Sequence, residues 1–403
     1  MLIAHLREEL DRLAGEGLQR RRRVVQMPCG PEQRLAGQQD ELLSFCSNDY
    51  MGLAQHPVLI QALAEGAQRW GAGSGASHLV SGHMQVHEDL ENAFARWQQA
   101  HIPQAQGLLF GSGFMANMAL MTALGDGNTT ILADKLNHAS LIDGCRLAKA
   151  EVRRSPHGDV QQLERLLQRC STPVKLIVTD AVFSMDGDIA DLPALLRLAE
   201  AYDAWLVIDD AHALGVLGAH GHGSLEHFGL HSERLIWMGT LGKAMGVGGA
   251  VVVAHETIID WLVQRARPYI YTTGMPPALA QALLASMVLV ESEEGMARRA
   301  HLQALIGRLR AGLAALLPAH PHWSLPESST AIQPLVVGSN AEALRLSAAL
   351  ERAGIWVPAI RPPTVPAGTA RLRFTLSAAH TGEQLDRLLG VLNGLLEESR
   401  EKL

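Results

Sequence analysis

The stretch IWMGTLGKAMGVGG at 236–249 holds Lys243 as the only charged side chain between Arg234 and His255. An ammonium is among the groups least often buried without a partner. On an ordinary glycine-rich turn it is a solvated surface residue, so its neighbours in the fold must decide its role. The run VIDDAHALG at 207–215 brings Asp209, Asp210 and His212 out together where an apolar stretch ends. In open α/β sheets, ligands bind at such carboxyl ends of buried strands. Asp209 and His212 are two residues apart from one another in the intervening count, and Lys243 follows the next apolar run. A further group of residues, Gly111, Gly113 and Ala116, stands between an apolar run and a helical pattern. That context aims free backbone N–H groups and a helix dipole at an anion, most often a phosphate.

A lysine, a carboxylate, a histidine and a phosphate cradle together narrow the chemistry. At neutral pH an ordinary lysine amine is uncharged in about one molecule in a thousand or fewer, so a nucleophilic lysine needs help. Held as an imine to pyridoxal phosphate, Lys243 would be displaced by an amino acid. An aspartate facing the pyridine nitrogen would keep that nitrogen protonated and make the ring an electron sink. The phosphate would lie at Gly113 and Phe114. A nicotinamide reading competes, because the glycine spacing also fits a dinucleotide fingerprint with Asp134 as the downstream acid. That reading leaves Lys243 and Asp209 without work. A second glycine match at 71–76 follows a helical run rather than a strand and is set aside. His220, His222, His227 and His231 lack a completing Cys or carboxylate set and read as surface residues rather than metal ligands.

These groups need a scaffold. From about 105 to 254 short apolar runs alternate with helical patterns: GLLF (107–110), TTILAD (129–134), VKLIVTD (174–180), AWLVIDD (204–210), RLIWMG (234–239) and AVVVA (250–254). Near-continuous hydrophobicity implies strands buried on both faces, as in a mostly parallel sheet with helices on either side. After about 275 the pattern becomes a long helical region (277–316), a helix ending at Gly354, strand candidates IWVPAI and ARLRFTL, and a last helix from about 382 opened by a Thr381/Gln384 capping box. The expected layout is an N-terminal helical segment (1–45), a large α/β domain (46–280) and a smaller C-terminal α+β domain (281–403).

Bulk properties limit the partners. The 403-residue chain is 47% hydrophobic and 19% charged with a formal net charge of −7, an ordinary globular composition that disfavours nucleic acid or an anionic membrane. The arginine run at 20–23 is the local exception, a solvated face unless a substrate anion needs it. Cys29, Cys46, Cys145 and Cys170 are scattered, which fits a reduced cytoplasmic compartment. The first residues carry Leu6, Leu10 and Leu13 at helical spacing with early acidic residues, so they read as an amphipathic helix and not a targeting peptide.

With the segments side by side the chain resembles the pyridoxal-phosphate-dependent α-oxoamine synthases, of the aspartate-aminotransferase fold (fold type I). The resemblance rests on SNDYMGL (47–53), GSGFMAN (111–117), DKLNHASLIDG (134–144), VFSMDGD (182–188), DDAHALGVLG (209–218), TLGKAMG (240–246) and RPPTVPAGTARLRFTL (361–376), in family order. It implies Lys243 as the Schiff-base lysine, Asp209 as the pyridinium partner and His138 stacked on the ring and contacting substrate. It further implies Ser184 and His212 at the ring oxygen, Thr240 at the phosphate, and Thr272 and Thr273 lent to the neighbouring site of a homodimer. Asn48 and Arg361 would bind the amino-acid carboxylate, and Thr364 with one arginine of 20–23, Arg20 favoured, the acyl substrate. The stretches GASHLVSGH, YTTGMPPA and RPPTVPAGTARLR most resemble the branch that joins L-alanine to a pimeloyl thioester, carried by coenzyme A or an acyl carrier protein, in biotin biosynthesis. A sister branch using glycine and another acyl thioester is the alternative.

Overall fold

The computed structural model describes residues 1–20 and 22–400, except the side chains of 396–400. At its centre is a seven-stranded sheet in the order Ala105–Phe110, Ala250–His255, Leu235–Thr240, Trp205–Asp209, Val174–Asp180, Thr129–Asp134, Glu151–Ser155. The last five of these run parallel, and Ala250–His255 lies antiparallel to both of its neighbours. Alternate residues of one strand feed two cores. Leu206 and Ile208 join the larger apolar cluster on one face, and Val207 joins the smaller cluster on the other. Burial on both faces is the reason these strands read as unbroken apolar runs.

Two of the strands lie outside the apolar runs picked out in the sequence. Glu151–Ser155, sequence EVRRS, is an edge strand with little burial and so carries no apolar pattern. Ile332–Gly338 lies in the smaller C-terminal unit, where it pairs antiparallel with Ala370–Thr375. The stretch IWVPAI is two short strands, not one. Ile355–Trp356 pairs parallel with Glu41–Ser44, and Ala359–Ile360 pairs with Ala370–Thr375, so the chain changes sheets around Pro358. Proline supplies no N–H for a ladder, which accounts for the break.

The N-terminal segment is helical only over Leu2–Gly15; it then forms strands Glu32–Arg34 and Glu41–Ser44, the second tied to Ile355–Trp356. The long helical region divides into Pro277–Glu291 and Glu293–Leu316, where Ser292 caps the second by accepting from the Gly295 N–H at 3.2 Å. The boundary expected at 280 therefore falls within a helix. The capping box forms as read: Gln384 Oε1 accepts from the Thr381 N–H at 3.0 Å and Thr381 Oγ1 from the Gln384 N–H at 3.2 Å. No helix among the described residues is long and apolar enough to cross a membrane.

Candidate active site

The carboxyl ends of the parallel strands deliver the chemistry-bearing residues to one place. Asp180, Asp209 and Thr240 end their strands, Asp134 leads into the turn to His138, and Lys243 follows Thr240. Gly113 opens the helix Gly113–Leu124, capped by Ser112 Oγ, which accepts from the Met115 N–H at 3.3 Å. The first-turn N–H groups of a helix have no carbonyl partner of their own, which leaves Gly113 and Phe114 able to bind an anion. A Cβ at Gly113 would lie 2.4 Å from Thr240 Cγ2, so this glycine lets the helix start sit against the Thr240 strand end.

Lys243 is part-buried, and its Nζ lies 2.9 Å from His212 Nε2. Burial pulls its amine down from 10.5 to about 8, against the opposing pull of Asp209 and Asp180. At pH 7 about one molecule in ten then carries a free amine, a hundredfold or more above an ordinary lysine. His212 is buried, and burial with the nearby Lys243, Arg373 and His138 holds it well below its usual value. An ammonium only donates, so neutral His212 accepts at Nε2 and carries its proton on Nδ1. Nδ1 is 2.5 Å from the Tyr50 hydroxyl, which donates in turn to Asn48 Oδ1 at 3.2 Å.

Asp209, 4% exposed, accepts from Asn117 Nδ2 at 2.6 Å and from the Ala211 N–H at 2.9 Å. Asn117 also reaches Ser140 Oγ at 2.9 Å, and Ser140 Oγ is 2.7 Å from His138 Nδ1. Asp180 accepts from the His138 N–H at 2.7 Å, and burial beside Asp209 raises its carboxyl well above the usual range. A buried Asp209 carboxylate among neutral amide donors is a suitable partner for a cationic pyridinium N–H. The residues present therefore fit pyridoxal phosphate: a low-pKa amine, a carboxylate for the ring nitrogen, and a glycine-opened helix start for the phosphate.

Arg373 is a functional candidate that the sequence reading passed over. It is 6% exposed, and its Nε donates to the Ser184 carbonyl at 2.7 Å. Nη1 donates to Thr375 Oγ1 at 2.9 Å, and the guanidinium faces Asn48 Oδ1 at 3.4 and 3.5 Å. All these partners are neutral, and no ion pair among the described residues includes Arg373. A buried guanidinium without a carboxylate is costly unless a ligand supplies one. The sequence signal was present in ARLRFTL, where a strand with arginines at alternate positions turns both of them inward, Arg371 to Asp186 and Arg373 to Asn48.

Arg361, expected beside Asn48, instead donates through Nη1 to the Gly17 carbonyl, and the Thr364 N–H donates to its carbonyl at 3.1 Å. Thr364 and Arg20 are exposed. In the arginine run, Arg23 pairs with Glu351 and stacks on Trp356 at 4.7 Å, Arg20 and Arg22 are exposed, and Arg21 lies outside the described residues. Thr272 and Thr273 sit in the turn before Pro277–Glu291, where Thr273 bridges to Ser77. His87 Nε2 and Ser74 Oγ hold the Met275 carbonyl just beyond it at 2.8 and 2.5 Å. Asp134, the acid that a nicotinamide site needs, is occupied by His157 and by the N–H groups of Leu136 and Gly158. His220, His222 and His231 pair with Glu226, Glu291 and the Ala100 carbonyl, while His227 is exposed.

A family model described as aminotransferase class I and II covers residues 40–392. The chain belongs to that family. A class I and II aminotransferase relative from Leptothrix cholodnii, 8-amino-7-oxononanoate synthase, is 61% identical over 97% of this chain and 98% of its own. Among solved structures, serine palmitoyltransferase from S. paucimobilis with a bound PLP–myriocin adduct is 28% identical with a TM-score of 0.89, covering 99% of this chain and 98% of that one. An 8-amino-7-oxononanoate synthase from Francisella tularensis is 31% identical with a TM-score of 0.75, over 89% and 99%. As an aminotransferase-family protein the chain is a fold type I enzyme that uses pyridoxal phosphate.

Proposed function

We infer that the chain is an acyltransferase that condenses L-alanine with a pimeloyl thioester to 8-amino-7-oxononanoate, with release of carbon dioxide and a free thiol, in biotin biosynthesis. Likeness at 61% identity over nearly the full length supports this activity. The observation that carries the chemistry is the convergence of Lys243 and the unpaired Arg373 guanidinium on the His212–Tyr50–Asn48 chain.

When bound, pyridoxal phosphate supplies the electron sink that stabilises negative charge at the α-carbon. Lys243 would hold it, Asp209 would keep its ring nitrogen protonated, and Gly113, Phe114 and Thr240 would receive its phosphate. Ser184 and His212 would hydrogen-bond its ring oxygen, and His138 would stack on its ring and contact substrate. Arg373 and Asn48 bind the amino-acid carboxylate, a bidentate task suited to arginine. That assignment moves the carboxylate site from Arg361 to Arg373. Arg361, which reaches the Gly17 carbonyl of the N-terminal segment, would serve the acyl thioester with Thr364 and Arg20. With the cofactor and amino acid bound, the Lys243 amine would serve as the general base that takes the α-proton. A bond then forms between the α-carbon and the thioester carbonyl carbon, the thiolate leaves, the carboxylate departs as carbon dioxide, and a proton returns to carbon. Thr272 and Thr273 complete the phosphate site of a second copy in a homodimer. The four unpaired cysteines suit a cytoplasmic enzyme.

The test is thiol release from pimeloyl-coenzyme A and from a pimeloyl carrier protein, with L-alanine and glycine as separate co-substrates. Release dependent on alanine is the expected result. Release with glycine alone, or only from a shorter thioester, would move the chain to a sister synthase.

A further inference from the structure

His157 is unused by the chemistry above, yet it joins two site-bearing turns. It follows the edge strand Glu151–Ser155, and its ring lies between two carboxylates. Nδ1 is 3.1 and 3.2 Å from the two Asp134 oxygens, and Nε2 is 2.9 Å from Asp188 Oδ2. Each carboxylate belongs to a different turn. Asp134 also accepts from the Leu136 N–H at 2.8 Å and the Gly158 N–H at 3.1 Å, shaping the turn that ends at His138. Asp188 closes the turn that carries Ser184, through its own carbonyl to the Phe183 N–H at 3.0 Å. The Phe183 ring meets His157 edge-on at 4.3 Å between centroids.

The far end of the Ser184 turn is held by arginines. Arg371 reaches Asp186 and the Met185 carbonyl, and Arg373 holds the Ser184 carbonyl. Behind His157 is a cavity of 190 Å³ bordered by Leu132, Ile177, Phe183 and Leu195, so packing alone does not fix the ring. The two ion pairs do. They also raise the imidazole to about 10, Asp134 contributing most and Asp188 next, so it is cationic throughout the neutral range.

We propose that His157 is a positioning residue that clamps the His138 turn to the Ser184 turn and thereby fixes Arg373 for the substrate carboxylate. The inference rests on the amino-acid site assigned above. It requires both bonds of the ring, because each turn hangs on one nitrogen. Loss of either leaves a carboxylate next to the site without its cation.

The experiment compares wild-type, His157→Asn and Asp188→Asn holoenzymes. Hydrogen exchange reports the segments 134–138 and 182–188, and titration with L-alanine, followed by cofactor absorbance, reports substrate affinity. In His157→Asn both segments exchange faster and the alanine dissociation constant rises about tenfold, as loss of hydrogen bonds between charged groups predicts. KM for alanine rises more than kcat falls. Asp188→Asn shows the faster exchange mainly in 182–188, and it carries the test if the histidine variant fails to fold. Unchanged exchange in both segments would overturn the proposal. So would faster exchange with unaltered alanine affinity, because the clamp would then be structural only. If the wild-type enzyme answers to glycine and not alanine, the substrate reading fails and the same comparison is read with glycine.

Discussion

Lys243 Nζ lies 2.9 Å from His212 Nε2, and this contact sets the proton positions of a buried chain that ends at Asn48. The ammonium donates to the ring, the ring donates to Tyr50, and Tyr50 donates to Asn48 Oδ1. Asn48 Oδ1 also faces the Arg373 guanidinium. The Lys243 amine and the Arg373 guanidinium are thus tied through three neutral groups, and none of the three neutralises either charge.

Loading of pyridoxal phosphate depends on the protonation of Lys243. Only the neutral amine attacks an aldehyde, and Lys243 titrates at about 8. Stopped-flow measurement of pyridoxal phosphate uptake by the cofactor-free chain should show a rate that climbs about tenfold per pH unit below 8 and levels above it. A climb that continues toward 10 would mean the amine is not depressed.

The same shift predicts a stability effect. The unfolded chain holds the Lys243 proton up to about 10.5 and the folded chain releases it near 8, so the lysine disfavours folding most below pH 8 and not at all above 10.5. Lys243→Met in the cofactor-free chain should therefore gain roughly 1–3 kcal/mol at pH 7, shrinking as pH rises toward 10.5. Urea denaturation at several pH values measures it. No gain at pH 7 contradicts a burial cost.

Tyr50→Phe removes the acceptor of the His212 Nδ1 proton. Tyr50 is 1% exposed and its hydroxyl, pushed up to about 12 by burial, stays protonated. An unpaired buried N–H costs about 1–3 kcal/mol, so denaturant unfolding should show a loss of that size. Cofactor retention should survive while kcat falls, since Lys243 then faces a ring free to turn. Unchanged stability would place water or another acceptor at Nδ1.

Much of this site could be read from residue order because its parts sit at strand ends, where a local motif gives both position and exposure. Lys243, Asp209, His212 and Gly113 are of that kind. Arg373 was hidden for a different reason. It lies in mid-strand on Ala370–Thr375, between Ile332–Gly338 and Ala359–Ile360, and its facing toward Asn48 follows from that long-range pairing. The edge strand Glu151–Ser155 was missed because four of its five residues, Glu151, Arg153, Arg154 and Ser155, are polar. Contacts between distant segments, such as Arg361 with the Gly17 carbonyl, leave no periodic trace in either partner.

Arg373 and Arg361 can be separated by their kinetic signatures. Arg373→Gln should raise KM for alanine by about a hundredfold, the loss of one charge-assisted bidentate contact, while leaving KM for the thioester nearly unchanged. Arg361→Gln should do the reverse. If Arg361→Gln alone raises KM for alanine, the carboxylate site is the one first expected from the motif.

Gly113 tests the phosphate cradle through its fit against Thr240. A methyl group at Gly113 meets Thr240 Cγ2 at 2.4 Å, well inside contact distance, so either the helix start or the threonine must move. Both are assigned to the phosphate. Gly113→Ala should weaken cofactor binding at least about tenfold, as loss of a hydrogen bond to a charged group requires. Thr240→Ser keeps the hydroxyl and removes the clashing methyl, so the double variant should recover most of the loss. Equilibrium dialysis of pyridoxal phosphate on the cofactor-free chains measures all three. If Gly113→Ala binds normally, the helix start is not packed against the Thr240 strand end. If the double variant binds no better than Gly113→Ala, the clash lies elsewhere and the cradle is not built on this contact.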